Sequence, residues 1–513
     1  MGITASIRMG QWLMLLVWLA GLVGTGDLLA AGDLRLVEAV RHQDAETVRA
    51  LLDQQVDVNA PQSDGATALH WAAYLDDLET AVLLLEAGAN ANAANDYGVT
   101  PLWLACTNAA GAMVEQLVSA GGNPNAALSE SGATVLMNCA RTGNADTVRT
   151  LSAHGADVNA KESSLEQTAL MWAVSQRHPA VVEVLLEHGA DVTARSRVTR
   201  EVISRHLQGD LKYGQRLRMY GSDAEETQRG GFTPLLFASR TGDVESTRLL
   251  LKAGADVNDT AANRTSALVM AMHSGQGAAA KFLLENGANP NAAGAGYTAL
   301  HAAVLTGNLD AVKTLLAHGA RPDAQITQGT RVTRNGQALE FGEHWLGATP
   351  FCLAAKFVEV EMLRVLASSG ADTRLAMRNG WTPLMVAAGA GWRHGRWDRR
   401  DRSSITDLAT QVEMYDEHST LAAVKLTVKL GADVNAVDEE GSTALHAVVD
   451  KGFDTVVKFL VDQGADLHAK NRRGQTPLDR LLGRRPEEDA PQAALNSVRQ
   501  ATAELLLRLG AEE

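Results

Sequence analysis

The chain of 513 residues predicts an all-α solenoid of short, stacked helix pairs. Three observations carry this. A segment close to 33 residues long recurs along most of the sequence. Aromatic residues make up only 4% of the chain against 46 glycines, which favours thin layers of Ala and Leu broken by frequent turns. The length exceeds what a single closed core organises, so either several domains or an open array is expected.

The first 31 residues differ from the rest. Arg8 precedes the apolar run Trp12 to Val23, and small residues follow in GTGDLLAAG. A run of this length is shorter than the roughly 20 residues that a membrane-spanning helix needs, so residues 1–31 read as a signal peptide. The alternative is an uncleaved N-terminal segment that anchors the chain to a membrane, because Leu28-Leu29-Ala30 and Gly24-Thr25-Gly26 are both imperfect cleavage sites. No other stretch is long enough to cross a bilayer. The expected localisation is exported, in the periplasm or secreted.

Residues 33–513 form the array. Its clearest copies read GATALHWAAYLDDLETAVLLLEAGANANA from Gly65, GFTPLLFASRTGDVESTRLLLKAGADVND from Gly231 and GYTALHAAVLTGNLDAVKTLLAHGARPDA from Gly296. An anchoring hydroxyl falls at Thr67, Thr100, Thr134, Thr168, Thr233, Ser266, Thr298, Thr349, Thr382, Thr443 and Thr476, and it is placed to cap a short helix. Leu69 and Ala72 give that helix its buried face, and glycines such as Gly143, Gly242, Gly275, Gly307 and Gly452 end it. A second helix follows, with Val244, Thr247, Leu250 and Leu251 as a typical apolar stripe, and a Gly-Ala pair stops it. No unit buries its apolar face alone, so neighbours must stack.

A period near 33 with the pattern T-P-L-H-x-A resembles the ankyrin repeat. With a degenerate first unit at LRLVEAVRHQDAETVRALLDQQVDVNA, about 12 helix-turn-helix units are expected. The resemblance implies that His70, His301 and His446 hold the anchoring Thr and neighbouring backbone. It also implies that the residue four after each anchor lies on the inner, concave wall. That register reads Trp71, Leu104, Asn138, Trp172, Phe237, Met270, Ala302, Leu353, Val386 and Ala447. Trp71, Trp172 and Phe237 therefore become candidate partner-binding residues on an exposed apolar stripe, or side chains folded against a neighbouring unit.

The three cysteines, Cys106, Cys139 and Cys352, lack metal-site spacing. Cys106 and Cys139 fall in adjacent units, whose equivalent Cα atoms should be about 8–10 Å apart, beyond bridging distance. All three are expected to be buried free thiols.

Three anchor spacings of 65, 51 and 61 residues exceed the period and locate insertions at about 195–229, 325–346 and 392–419. The first carries Arg197, Arg200, Arg216 and Arg218 with Tyr213 and Tyr220, either a surface for an anionic partner or a solvated loop. The second holds Asn335-Gly336 between two alternating segments, which signals a hairpin. The third places Trp392 and Trp397 among Arg393, Arg396, Arg399 and Arg400, and Ser404-x-x-Asp407 reads as a capping box. Trp and Arg are enriched at binding hot spots, although a flap stacked on itself has the same composition. An array with a Gly-Trp-Arg insertion between two helices is similar to secreted bacterial ankyrin-repeat proteins.

The formal charge of −14 argues against nucleic acid as a partner. Phosphate-loop, zinc-protease and nucleophile-elbow motifs are absent from the sequence, and no catalytic, metal or cofactor-binding residue is assigned. The expected function is a non-catalytic, monomeric scaffold for a protein partner. The alternatives are a structural envelope spacer and an accessory or inhibitor of a partner enzyme.

Overall fold

A computed structural model describes residues 33–204, 224–328, 330–334, 337–341, 345–391, 416–483 and 497–512. Among the described residues there are 24 α-helices and two antiparallel strand pairs. The chain divides into two compact units, residues 1–263 and 264–513.

In the first unit, helices run in pairs. These are α1 Arg35–Arg41 and α2 Ala45–Asp53, α3 Ala68–Leu75 and α4 Leu78–Glu86, α5 Pro101–Thr107 and α6 Gly111–Ser119. They continue as α7 Val135–Thr142 and α8 Ala145–Ala153, then α9 Ala169–Gln176 and α10 Pro179–Glu187. The hairpin β1 Val198–Ser204 and β2 Ala224–Gly230 interrupts the series before α11 Pro234–Thr241 and α12 Val244–Lys252. First helices pack on first helices and second on second, and α9 still packs on α11 across the hairpin.

The second unit repeats the plan. Its pairs are α13 Ala267–His273 and α14 Gly277–Glu285, α15 Ala299–Leu305 and α16 Leu309–Ala317, and, after β3 Thr330–Arg334 and β4 Gln337–Phe341, α17 Pro350–Lys356 and α18 Val360–Ser368. Then come α19 Pro383–Ala387 and α20 Glu417–Lys429, α21 Ala444–Val448 and α22 Asp454–Asp462, and α23 Pro477–Leu482 and α24 Ser497–Arg508.

The local reasons are those read in the sequence. Each anchoring hydroxyl sits in extended backbone at a helix start. Thr100 Oγ1, for instance, accepts the Trp103 N–H at 3.2 Å. Proline follows the anchor at Pro101, Pro234 and Pro350, where its missing N–H costs nothing. Four second helices start on an aspartate cap, at Asp44, Asp77, Asp243 and Asp416, as where Asp243 accepts the Ser246 N–H at 3.0 Å. Gly143 shows why glycine ends a first helix: its φ is +89°, and an added Cβ would lie 2.7 Å from the His178 ring. That ring donates from Nε2 to the Arg141 carbonyl at 3.0 Å, joining consecutive pairs. Leu69, Leu136 and Leu170 are buried, each contributing about 1.5–3 kcal/mol.

The expected helical solenoid is present, and the first insertion adds to it a hairpin in register Val198 with Gly230 and Val202 with Glu226. The second insertion forms the hairpin its Asn-Gly pair signals, with Arg334 paired to Gln337. After the third insertion, α20 already begins at Glu417, inside the segment assigned to the insertion, with Asp416 capping the Ser419 N–H at 2.6 Å.

One expectation is corrected, that of three free thiols. Cys106 and Cys139 form a disulfide, with Cα atoms 4.7 Å apart. They are not equivalent positions: Cys106 is sixth after Thr100, whereas Cys139 is fifth after Thr134. The one-residue offset turns the two side chains toward each other across the α5–α7 contact, where other units place small residues. Cys352 remains a free, buried thiol, its pKa pushed up to about 11 by burial.

Candidate interaction surface

The register four residues after each anchor is not an exposed apolar stripe. Leu104, Asn138, Phe237, Ala302, Leu353 and Val386 are buried; Trp71, Trp172, Met270 and Ala447 are half-buried. Helices five to eight residues long pack so closely that this position serves the contact between neighbours as well as the open face. Trp71 lies under the Arg41 guanidinium at 5.5 Å, meets Tyr74 edge-on at 5.9 Å and donates from Nε1 to Gln62 Oε1 at 2.8 Å. Trp172 Nε1 is buried with no hydrogen-bond acceptor among the described residues. Phe237 is 3% exposed and packs edge-on against Phe232 at 5.8 Å.

A second register, seven residues after the anchor, was not singled out in the sequence. It holds Arg141, Arg240 and Lys356. Arg141 Nη2 donates to Asn138 Oδ1 at 2.8 Å, while Asn138 Nδ2 donates to the Trp103 carbonyl at 2.9 Å. Arg240 lies over Phe237 at 5.0 Å and Phe232 at 5.6 Å. Lys356 is buried with Nζ 4.4 Å from the Trp345 ring centre, and burial, reinforced by the charge of Lys451, lowers its pKa to about 8.

The motif histidines join units. His70 Nδ1 accepts the Thr67 N–H at 3.0 Å, which leaves the ring proton on Nε2 to be donated to the Val99 carbonyl at 3.0 Å. His301 and His446 repeat this with the carbonyls of Ala348 at 3.2 Å and Gln475 at 3.0 Å. Burial holds all three pKa values below the ordinary imidazole range, that of His301 at about 4.

In the first insertion, Arg195 pairs with Asp259 and donates to the carbonyls of Gly231 and Thr260 at 2.9 and 2.8 Å. Arg197 pairs with Glu166 at 3.1 Å, and Arg200 is exposed on β1. These bonds anchor the base of the hairpin. Arg216, Arg218, Trp392, Arg393, Arg396, Trp397, Arg399 and Arg400, and the Ser404 capping box, lie outside the described residues.

The second unit holds a cavity of about 600 Å³ beside Trp381, Met385, Asp438, Asp450, Lys451 and Arg480. Its polar groups largely satisfy one another: Trp381 Nε1 donates to Asp438 at 3.2 Å, and Asp450 takes Arg480 at 3.1 Å and Arg499 at 3.7 Å. Among the described residues no His, Cys, Asp and Glu group is arranged to hold a metal, and no helix is long and apolar enough to cross a membrane.

Stacked helix pairs with hydroxyl caps, glycine stops and histidine joints define a tandem-repeat scaffold protein. Sequence patterns for ankyrin repeats in three copies match residues 36–127, 110–196, 206–294 and 262–326, and a many-copy ankyrin pattern matches 428–481. The chain belongs to the ankyrin-repeat family. The B-cell lymphoma 3 protein homolog of Mus musculus is 36% identical over 189 residues, 35% of this chain and 39% of that protein's length. The human ASB11 ankyrin repeat domain is similar at 24% identity over 50% of this chain and 98% of that one, with a TM-score of 0.39. The repeats point to a role in protein–protein interaction.

Proposed function

We propose that this chain is an exported, non-catalytic scaffold that binds another protein through its first-helix face and inserted segments. The binding half rests on the repeats, since an open stack offers a broad surface and ankyrin repeats generally serve as interaction domains. The observation that supports the export half is the buried Cys106–Cys139 pair, because disulfides persist in oxidising compartments and are rare in reducing ones. The N-terminal sequence agrees, with Arg8 ahead of the Trp12 to Val23 run.

Crosslinking with mass spectrometry in the native cell, joined to N-terminal sequencing, tests both halves. Recovery of a discrete protein partner in an extracytoplasmic fraction is expected. A reduced, cytoplasmic chain would overturn the export half. An exported chain that crosslinks to no protein would overturn the binding half.

A further inference from the structure

Two guanidinium groups of the first unit are half-buried on one run of helices with no counter-ion among the described residues. Arg141 on α7 donates to the neutral Asn138 amide, and Arg240 on α11 lies over the faces of Phe237 and Phe232. Neither has a carboxylate partner among the described residues. Burial lowers the pKa of each from the ordinary arginine value, with no attractive charge opposing the shift. Four other arginines of this unit show the contrast: Arg149 pairs with Asp146, Arg195 with Asp259, Arg197 with Glu166 and Arg248 with Glu245. Acidic residues outnumber basic ones 60 to 46, so leaving these two unpaired is not a shortage of carboxylates. A desolvated cation without a partner is costly.

Helix α9 packs between α7 and α11 and brings half-buried Trp172 between the two arginines in the stacking order. We propose that the α7–α9–α11 face receives an extended acidic segment of a protein partner, one carboxylate on Arg141, a second on Arg240, and the intervening residues across Trp172. The proposal rests on the scaffold reading above and adds the chemistry of the partner. Neighbouring helix axes lie about 8–10 Å apart, so two steps cover ~16–20 Å, the reach of about five or six extended residues. Guanidinium groups suit carboxylates because two parallel N–H donors match two oxygens. Carboxylate and phosphate chains are both anionic, and the oligonucleotide arm of the experiment separates them. In the second unit the same register holds Lys356, also without a carboxylate partner among the described residues.

The test is fluorescence anisotropy with the full chain and a labelled poly-L-glutamate of about 20 residues at low salt. Saturable binding is expected, weakened at least about tenfold in the double variant Arg141→Gln, Arg240→Gln. The double variant Arg149→Gln, Arg248→Gln changes net charge equally at arginines that already have partners, and it should change affinity less than about twofold. Circular dichroism checks that both fold. Should the glutamine pair melt, Arg141→Lys with Arg240→Lys keeps the charge but loses the paired N–H donors, and is expected to bind saturably but several-fold more weakly than the parent. Absence of binding, equal weakening by the two glutamine pairs, loss of binding in a folded lysine pair, or tighter binding of a deoxythymidine oligonucleotide of equal length would each overturn the proposal. The scaffold reading fails separately, if crosslinking of the exported protein yields no protein partner.

Discussion

Asp323 accepts the backbone N–H of Asp372 at 2.8 Å, half of a clasp that asparagine completes elsewhere. Asn291 accepts the Arg321 N–H at 2.7 Å and donates to the Gly319 carbonyl at 2.9 Å. Asn59, Asn92, Asn125 and Asn159 make the same two bonds in the first unit. A carboxylate has no proton to donate, so Asp323 holds only one side of its joint.

Asp323→Asn is therefore expected to stabilise the chain by about 1 kcal/mol, through a new bond to the Gly370 carbonyl. Urea unfolding at neutral pH reads this directly. A lower midpoint would show that the carboxylate is preferred there.

The disulfide closes a separation of 33 residues, for which chain entropy predicts a contribution of about 3–4 kcal/mol. Cys106→Ser with Cys139→Ser should lower stability toward that amount, and thiol titration of the denatured, unreduced parent should find Cys352 alone. Titration of all three cysteines without reductant would contradict the bridge.

The buried histidines make stability depend on acid. The folded-state pKa of His301, about 4, lies below the ordinary 6.5, so the unfolded chain takes up the proton first as pH falls. Its contribution is fully present above pH 6.5 and is lost as pH falls toward 4, about 3 kcal/mol at full extent. His70 and His446 act in the same direction. Unfolding midpoints at neutral and mildly acidic pH should diverge in the parent and converge in His301→Gln, which is expected to be weaker at neutral pH; an unchanged slope would remove His301 from the cause.

Trp71 and Trp172 share a register but differ in one bond. Trp71→Phe removes the donor to Gln62, while Trp172→Phe removes an indole N–H that has no acceptor among the described residues. The first change should cost about 1 kcal/mol more than the second. Equal losses in thermal melts would mean that ring volume alone matters at both sites.

Helices, caps and stops were legible because each depends on local residue types at fixed spacing. Thr100 caps Trp103 for reasons contained in a few residues, and the residue types Asn335-Gly336 signal a hairpin without any long-range information. The hairpin of VTREVIS with AEETQRG was hidden, since neither strand alternates apolar and polar residues and the pairing joins segments far apart in the chain. The disulfide escaped for a different reason: it depends on which positions face each other across two helices, and repeat spacing gives only which are equivalent. The cations at Arg141, Arg240 and Lys356 share a register, but that no described carboxylate pairs with them is a property of packing.

The hairpin at β1 and β2 leaves the stack between α10 and α11 while α9 keeps its contact with α11. Closure cost rises only with the logarithm of loop length, so the scaffold carries this appendage at little expense to its spine. The same junction is thus a natural graft point, where foreign cargo can be spliced into the polypeptide with the flanking layers left in place.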